Sequence, residues 1–170
     1  MKTSKIFLHF FSFLFILIFL VSCSNDPLFK LLDSKKTGVN FNNKIELTAS
    51  YNPINLEFIY NGGGVAVGDF DLNGLPDLYF TGNMSPNKLY LNKGGLRFED
   101  VTRAAGVAGK PGWKTGVSVA DVNGDGWLDI YVCYSGDLDS SQRANQLFIN
   151  NGDLTFTDKA KEMGVADKGY

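Results

Sequence analysis

Only one of the 170 residues is a histidine, His9, and it sits in the apolar leader. The rest of the chain therefore lacks the commonest general base and transition-metal ligand. Cysteine is nearly as scarce, with Cys23 and Cys133 the only two, so a disulfide scaffold is excluded. Lys and Arg number 16 against 18 Asp and Glu, with no basic run, which argues against nucleic acid as a partner. A long apolar run is missing too. Residues 6–21 are apolar apart from His9 and Ser12, but 16 residues are short of the roughly 20 that a spanning helix needs.

That run, preceded by Lys2 and Lys5, has the length of a secretory leader. Leu20-Val21-Ser22-Cys23 follows and resembles a bacterial lipobox, a resemblance that implies cleavage before Cys23 and lipid attachment to its sulfur. Ser24 resembles an outer-membrane sorting choice, so the expected location is exported, at the outer membrane or cell surface, with membrane contact through the lipid alone. Loss of residues 1–22 removes two lysines and the histidine, leaving 14 basic and 18 acidic residues and a net charge of −4. Cys133 then has no partner and reads as a buried, inert thiol.

What the chain does have is acid in a fixed pattern. Asp69-Phe-Asp71-Leu-Asn73-Gly74-Leu75-Pro-Asp77 and Asp121-Val-Asn123-Gly-Asp125-Gly126-Trp127-Leu-Asp129 start 52 positions apart. Each puts oxygen side chains at loop positions 1, 3, 5 and 9, glycine at 6 and a free carbonyl at 7. A hard divalent cation collects six to eight such oxygens, and three carboxylates crowded together repel one another without it. Both loops read as calcium sites, about two ions in all. An EF-hand would close on Glu at position 12, where Phe80 and Val132 stand, and the flanks (Val65-Ala-Val67, Leu78-Tyr-Phe80, Val117-Ser-Val119, Ile130-Tyr-Val132) favour strands over helices.

The similarity runs beyond the acids. Asn61–Asp69 aligns with Trp113–Asp121 at offset 52, and Asn87–Asn92 with Asn145–Asn150 at offset 58. The difference locates a six-residue insertion in the loop Ser135-Gly136-Asp137-Leu138-Asp139-Ser140-Ser141-Gln142-Arg143-Ala144. Each repeat then closes on Phe98-Glu-Asp100 or Phe156-Thr-Asp158, with Asp100 and Asp158 expected as N-caps and Gly106 and Gly164 as stops of a one-turn helix. About four short strands in 50 to 60 residues suit a blade of a β-propeller, which needs about four to eight blades to close. A third repeat would begin at residue 171, so further repeats of the same protein are expected and the chain reads as an N-terminal fragment.

Gly64-Val-Ala-Val-Gly-Asp-Phe-Asp71 and Gly116-Val-Ser-Val-Ala-Asp-Val-Asn-Gly-Asp-Gly-Trp-Leu-Asp129 resemble FG-GAP/VCBS repeats of the integrin-α propeller type. Asn87–Asn92 and Phe98–Thr102 look like the bacterial secreted UnbV/ASPIC proteins related to cartilage acidic protein. The resemblance implies an all-β fold of propeller blades and puts the calcium ligands on Asp69, Asp71, Asn73, the carbonyl of Leu75 and Asp77, and on Asp121, Asn123, Asp125, the carbonyl of Trp127 and Asp129.

The expected organisation is a leader over 1–22, a tether and leading strands over 23–60, and repeats over 61–112 and 113–170. The tether is expected to reach about Lys36, with extra strands between Ile45 and Tyr60. Free acids such as Asp137, Asp139 and Glu99 form no pair of the kind glycoside hydrolysis needs. The glycine run at 62–64 leads into a strand and an acidic turn rather than a helix, so it is no phosphate loop. The expected function is non-catalytic: a calcium-binding, lipid-anchored surface module that contacts protein or polysaccharide, with the inserted loop Ser135–Ala144 as the contact. The alternatives are an accessory region of a larger secreted enzyme and a structural spacer.

Overall fold

The computed structural model describes residues 27–49, 51–136 and 139–169. The leader and Cys23 lie outside the described residues, as do Asp137 and Leu138 of the inserted loop. Contacts divide the chain into residues 1–32 and 33–170. The described part of the first unit, 27–32, is exposed and carries no helix or strand.

The second unit opens with a one-turn helix, α1 (Ser34–Thr37), capped by the Asp33 side chain and ended by Gly38 in the left-handed conformation. Eight strands follow in two sheets. Sheet A is β1 (Val65–Gly68), β2 (Asp77–Phe80), β3 (Lys88–Asn92) and β4 (Phe98–Asp100); sheet B is β5 (Trp113–Ala120), β6 (Asp129–Ser135), β7 (Gln146–Asn150) and β8 (Phe156–Asp158). Both are antiparallel meanders with neighbours in chain order, as expected of two repeats built from β-branched and aromatic runs split by turn residues. The fold is thus all-β with one four-stranded, blade-like sheet per repeat.

Alternation along the strands gives each sheet two faces. The row Ala66, Tyr79, Leu89 of sheet A packs with Ile130, Val132, Tyr134 and Phe148 of sheet B in one hydrophobic core. Phe70, wholly buried, meets Phe156 edge-on at 6.3 Å between ring centres. Burying an aromatic of this size is worth about 2 to 3 kcal/mol, so the contact between repeats, rather than either sheet alone, supplies much of the stability. Glycine lets the sheets meet closely: a Cβ on Gly64 would lie 2.9 Å from Val117, and one on Gly68 would lie 2.7 Å from Leu128.

Polar clamps recur in register. Tyr79 donates its hydroxyl to the Val107 carbonyl (2.7 Å) and accepts from Asn87 Nδ2 (2.8 Å). Tyr131, Val165 and Asn145 repeat the arrangement at 2.9 Å for both bonds. The second clamp is the more exposed, because the first is covered by sheet B.

Three expectations are corrected. The helical turn after β4, α2 (Thr102–Ala105), starts from Val101 rather than Asp100, whose carboxylate instead takes the Thr102 amide and hydroxyl, with Gly106 the left-handed stop. The matching segment after Asp158 is turn rather than helix, although Asp158 still accepts from the Ala160 amide. No strand forms between residues 39 and 60 among the described residues. Asn40 to Glu46 instead lie on sheet A, and Tyr51 stacks on Trp113 at 5.9 Å, so the domain starts at Asp33, inside the expected tether.

Candidate metal centre

The two acid loops join β1 to β2 and β5 to β6, at the same end of their sheets. In each, the last aspartate is the first residue of the second strand and is buried: Asp77 at 0% exposure and Asp129 at 1%. Asp77 accepts from the Phe70 amide in its own loop (2.9 Å) and from the Asn92 amide at the end of β3 (2.7 Å). Asp129 does the same with Val122 (3.0 Å) and Asn150 (2.8 Å). A carboxylate at position 9 thus ties loop, strand and next hairpin together in both repeats.

The first aspartate organises the turn. Asp69 accepts from the amides of Asn73 (3.0 Å) and Gly74 (2.8 Å), and Asp121 from Gly124, Asp125 and Gly126 (2.7, 3.1 and 2.9 Å). These amide bonds, led by that from Gly126, hold the Asp121 carboxyl below the usual carboxylate range. Positions 3 and 5 are linked as well, Asp71 to Asn73 at 3.0 Å and Asn123 to Asp125 at 2.7 Å. Gly74 and Gly126 have positive φ, as the spacing requires, but so do Leu72 and Gly124 at position 4. Sequence reasoning missed this second left-handed position, which only Gly124 advertises.

Loop 1 brings carboxylate oxygens of Asp69, Asp71 and Asp77 all within 4.8 Å of one another. In loop 2 position 3 is Asn123, so its carboxylates stand at positions 1, 5 and 9 rather than 1, 3 and 9. Burial, above all, pushes the Asp77 carboxyl up, and the charges of Asp71 and Asp69 add to it against the two amides that pull it down. The ion pairs Lys44–Glu46, Lys88–Asp100, Lys93–Glu99 and Lys159–Glu162 involve none of these acids. A set of hard oxygens with excess negative charge and no protein cation fits a hard divalent ion. Leu75 and Trp127, expected to offer carbonyls, sit at position 7 of their loops, the Leu75 side chain exposed and that of Trp127 half-buried.

The inserted loop springs from the other end of sheet B. It contains a helical turn, α3 (Ser140–Arg143), whose Asp139 cap accepts from the Ser141 amide and hydroxyl. Lys110 Nζ donates to the Ser141 carbonyl (2.8 Å), and a Cβ on Gly112 would stand 2.7 Å from the Gln142 carbonyl. Residues 139–143 are therefore fastened to the connector between the repeats, not free as their polar sequence suggests. Beside this loop, Ile54, Phe58, Trp113, Cys133 and Ser135 line a groove of about 1030 Å³. Cys133 is half-buried there, and burial raises its thiol pKa, which lowers its reactivity.

Residues 69–132, from the first aspartate of loop 1 to the middle of β6, match the FG-GAP-like repeat family. Cartilage acidic protein 1 of Xenopus tropicalis is 33% identical over 104 residues, 61% of this chain and 16% of the relative. Its namesake in Homo sapiens is 32% identical over 102 residues, 59% of this chain and 15% of the relative. The chain spans only about a sixth of the length of these curated relatives. These findings point to a repeat module rather than to a catalytic domain.

Proposed function

We propose that this chain, which carries FG-GAP-like repeats, is a calcium-stabilised, non-catalytic binding module displayed outside the cell on a lipid anchor. The observation that carries the calcium reading is the convergence of Asp69, Asp71 and Asp77 within 4.8 Å, with no salt bridge from a lysine or arginine to them among the described residues. Asp69, Asp71, Asn73 and Asp77, with the Leu75 carbonyl, would hold one ion. Asp121, Asn123, Asp125 and Asp129, with the Trp127 carbonyl, would hold a second. The ion supplies charge compensation and rigidity rather than chemistry, since carboxylates fixed on a cation make poor proton shuttles.

Calorimetric titration with calcium and thermal melts in calcium or chelator test this reading. Binding confined to the folded state stabilises it by mass action, and a hundredfold excess over Kd is worth about 2.7 kcal/mol. About two ions bound and a higher melting point are expected; a melting point indifferent to both additives overturns the calcium reading. Asp121→Ala costs more than Asn73→Ala, because it removes a charged ligand that also holds three amides.

The anchor rests on Leu20-Val-Ser-Cys23, and the location on the leader together with the similarity to cartilage acidic protein 1. Among the described residues no helix is long and apolar enough to cross a membrane. Radiolabelled fatty acid fed to an expressing bacterium enters the protein at Cys23, and Cys23→Ser abolishes the label. The contact surface for protein or polysaccharide is assigned to the end of sheet B that bears Ser135–Ala144, opposite the acid loops.

A further inference from the structure

Four asparagines in the chain are followed directly by glycine: Asn61, Asn73, Asn123 and Asn151. Such a pair is prone to spontaneous deamidation, because no Cβ on the glycine hinders its backbone nitrogen from reaching the asparagine Cγ. The glycine nitrogen gives up its proton and bonds to Cγ, the Cγ–Nδ2 bond breaks, and ammonia leaves. Water then opens the cyclic imide at either carbonyl, giving aspartate or isoaspartate.

The fold restrains three of the pairs in the same way. The Gly74 amide donates to Asp69 (2.8 Å), the Gly124 amide to Asp121 (2.7 Å) and the Gly152 amide to Asn150 Oδ1 (3.0 Å). Each bond must break before the nitrogen can attack, and the two to carboxylates are the stronger. The departing amides are tied as well, Asn73 Nδ2 to Asp71 (3.0 Å), Asn123 Nδ2 to Asp125 (2.7 Å) and Asn151 Nδ2 to Thr155 Oγ1 (2.9 Å).

The fourth pair has neither restraint. Among the described residues the Asn61 amide donates to the Phe58 carbonyl (3.0 Å), but no hydrogen bond engages the Asn61 side chain or the Gly62 amide. Immediately downstream the chain is held tightly. Asn83 Nδ2 donates both to the Gly62 carbonyl (3.0 Å) and, in the second repeat, to the Lys114 carbonyl (2.7 Å). The Gly64 amide donates to Thr81 Oγ1 (2.6 Å), and a Cβ on Gly63 would stand 1.9 Å from the Thr81 carbonyl oxygen.

We propose that Asn61 is a self-modification site, deamidated selectively in the folded chain, and that its isoaspartate product loosens the junction between the repeats. Isoaspartate routes the main chain through its own side-chain carbon, which lengthens the backbone just before Gly62. The Gly62 carbonyl is thereby displaced from Asn83, the side chain that bridges it to Lys114.

The full-length chain is aged at mildly alkaline pH in chelator, digested, and mapped by mass spectrometry over time, with isoaspartate located by enzymatic methylation. Chelator leaves only the chain's own hydrogen bonds to guard Asn73 and Asn123, so the result does not depend on calcium. In the folded chain Asn61 reacts at least about tenfold faster than the other three, equal to about 1.4 kcal/mol of amide hydrogen bonding. In urea the four react at comparable rates. Comparable rates in the folded chain overturn the proposal, and so does an equal lead for Asn61 in urea. The deamidated form, collected by ion exchange, melts below Asn61→Asp, which has the same charge and a normal backbone. Equal melting points overturn the loosening of the junction.

Discussion

Leu72 and Gly124 occupy the same position in the two acid loops and the same left-handed backbone, at φ 54° and 77°. For glycine the conformation is free of steric cost; for leucine it costs about 1 to 2 kcal/mol. Loop 1 therefore holds strain that loop 2 does not. Leu72→Gly is expected to leave stability unchanged or raise it by up to about 1 kcal/mol, the relief being partly offset by the entropy of an added glycine. Gly124→Leu lowers stability by about 1 to 2 kcal/mol. Urea titration of both variants checks the asymmetry.

Asp77 gives a pH signature. Its carboxyl is raised, chiefly by burial, so the folded chain holds that proton to higher pH than the unfolded chain does. Without calcium, stability from this group is greatest at low pH and is lost as pH rises from the ordinary carboxylate range through the raised value. Asp77→Asn cannot ionise, so in chelator its melting point gains on the unchanged chain across that interval. In calcium the order is expected to reverse at neutral pH, where the ionised carboxylate serves as ligand. Melts from pH 4 to 7 in both conditions test the two halves separately.

The inserted loop yields a third expectation. Gly112 lies at φ 147°, and a Cβ there would stand 2.7 Å from the Gln142 carbonyl and 2.9 Å from the Tyr134 ring. Gly112→Val therefore pushes α3 off the connector while leaving both acid loops untouched. Calcium binding stays as it was, and attachment to cells or polysaccharide falls if Ser135–Ala144 make the contact. Titration calorimetry paired with an adhesion assay reads the two effects; unaltered attachment removes the loop from the contact surface.

The strands and both hairpins were legible because each repeat alternates apolar residues and punctuates them with Asp, Asn and Gly. A second copy at fixed offset turned a weak local signal into a strong one. The segment before Tyr60 was not legible in the same way. Asn40, Phe41 and Asn43 have no periodicity, since they bind sheet A through isolated side chains rather than through a ladder. The order in the inserted loop was hidden for a related reason. Lys110 and Gly112 hold it from about 30 positions away, and composition carries no trace of such a contact. At the acid loops the ligand-type residues could be read off directly, whereas the gathering of Asp69, Asp71 and Asp77 depends on side-chain placement.

Asn150 Nδ2 donates to the Phe70 carbonyl (3.1 Å) from 80 positions further along the chain, and Phe156 closes over the Phe70 ring. During synthesis from the N-terminus, the first acid loop is complete in sequence long before either partner emerges. Until then Phe70 is an exposed aromatic at the edge of a lone four-stranded sheet, the kind of surface that aggregates or recruits chaperones. Contacts of such separation are also slow to form, because a long loop must close before they repay its entropy. The repeats are therefore translated one after the other but become native together, and the later one sets the pace.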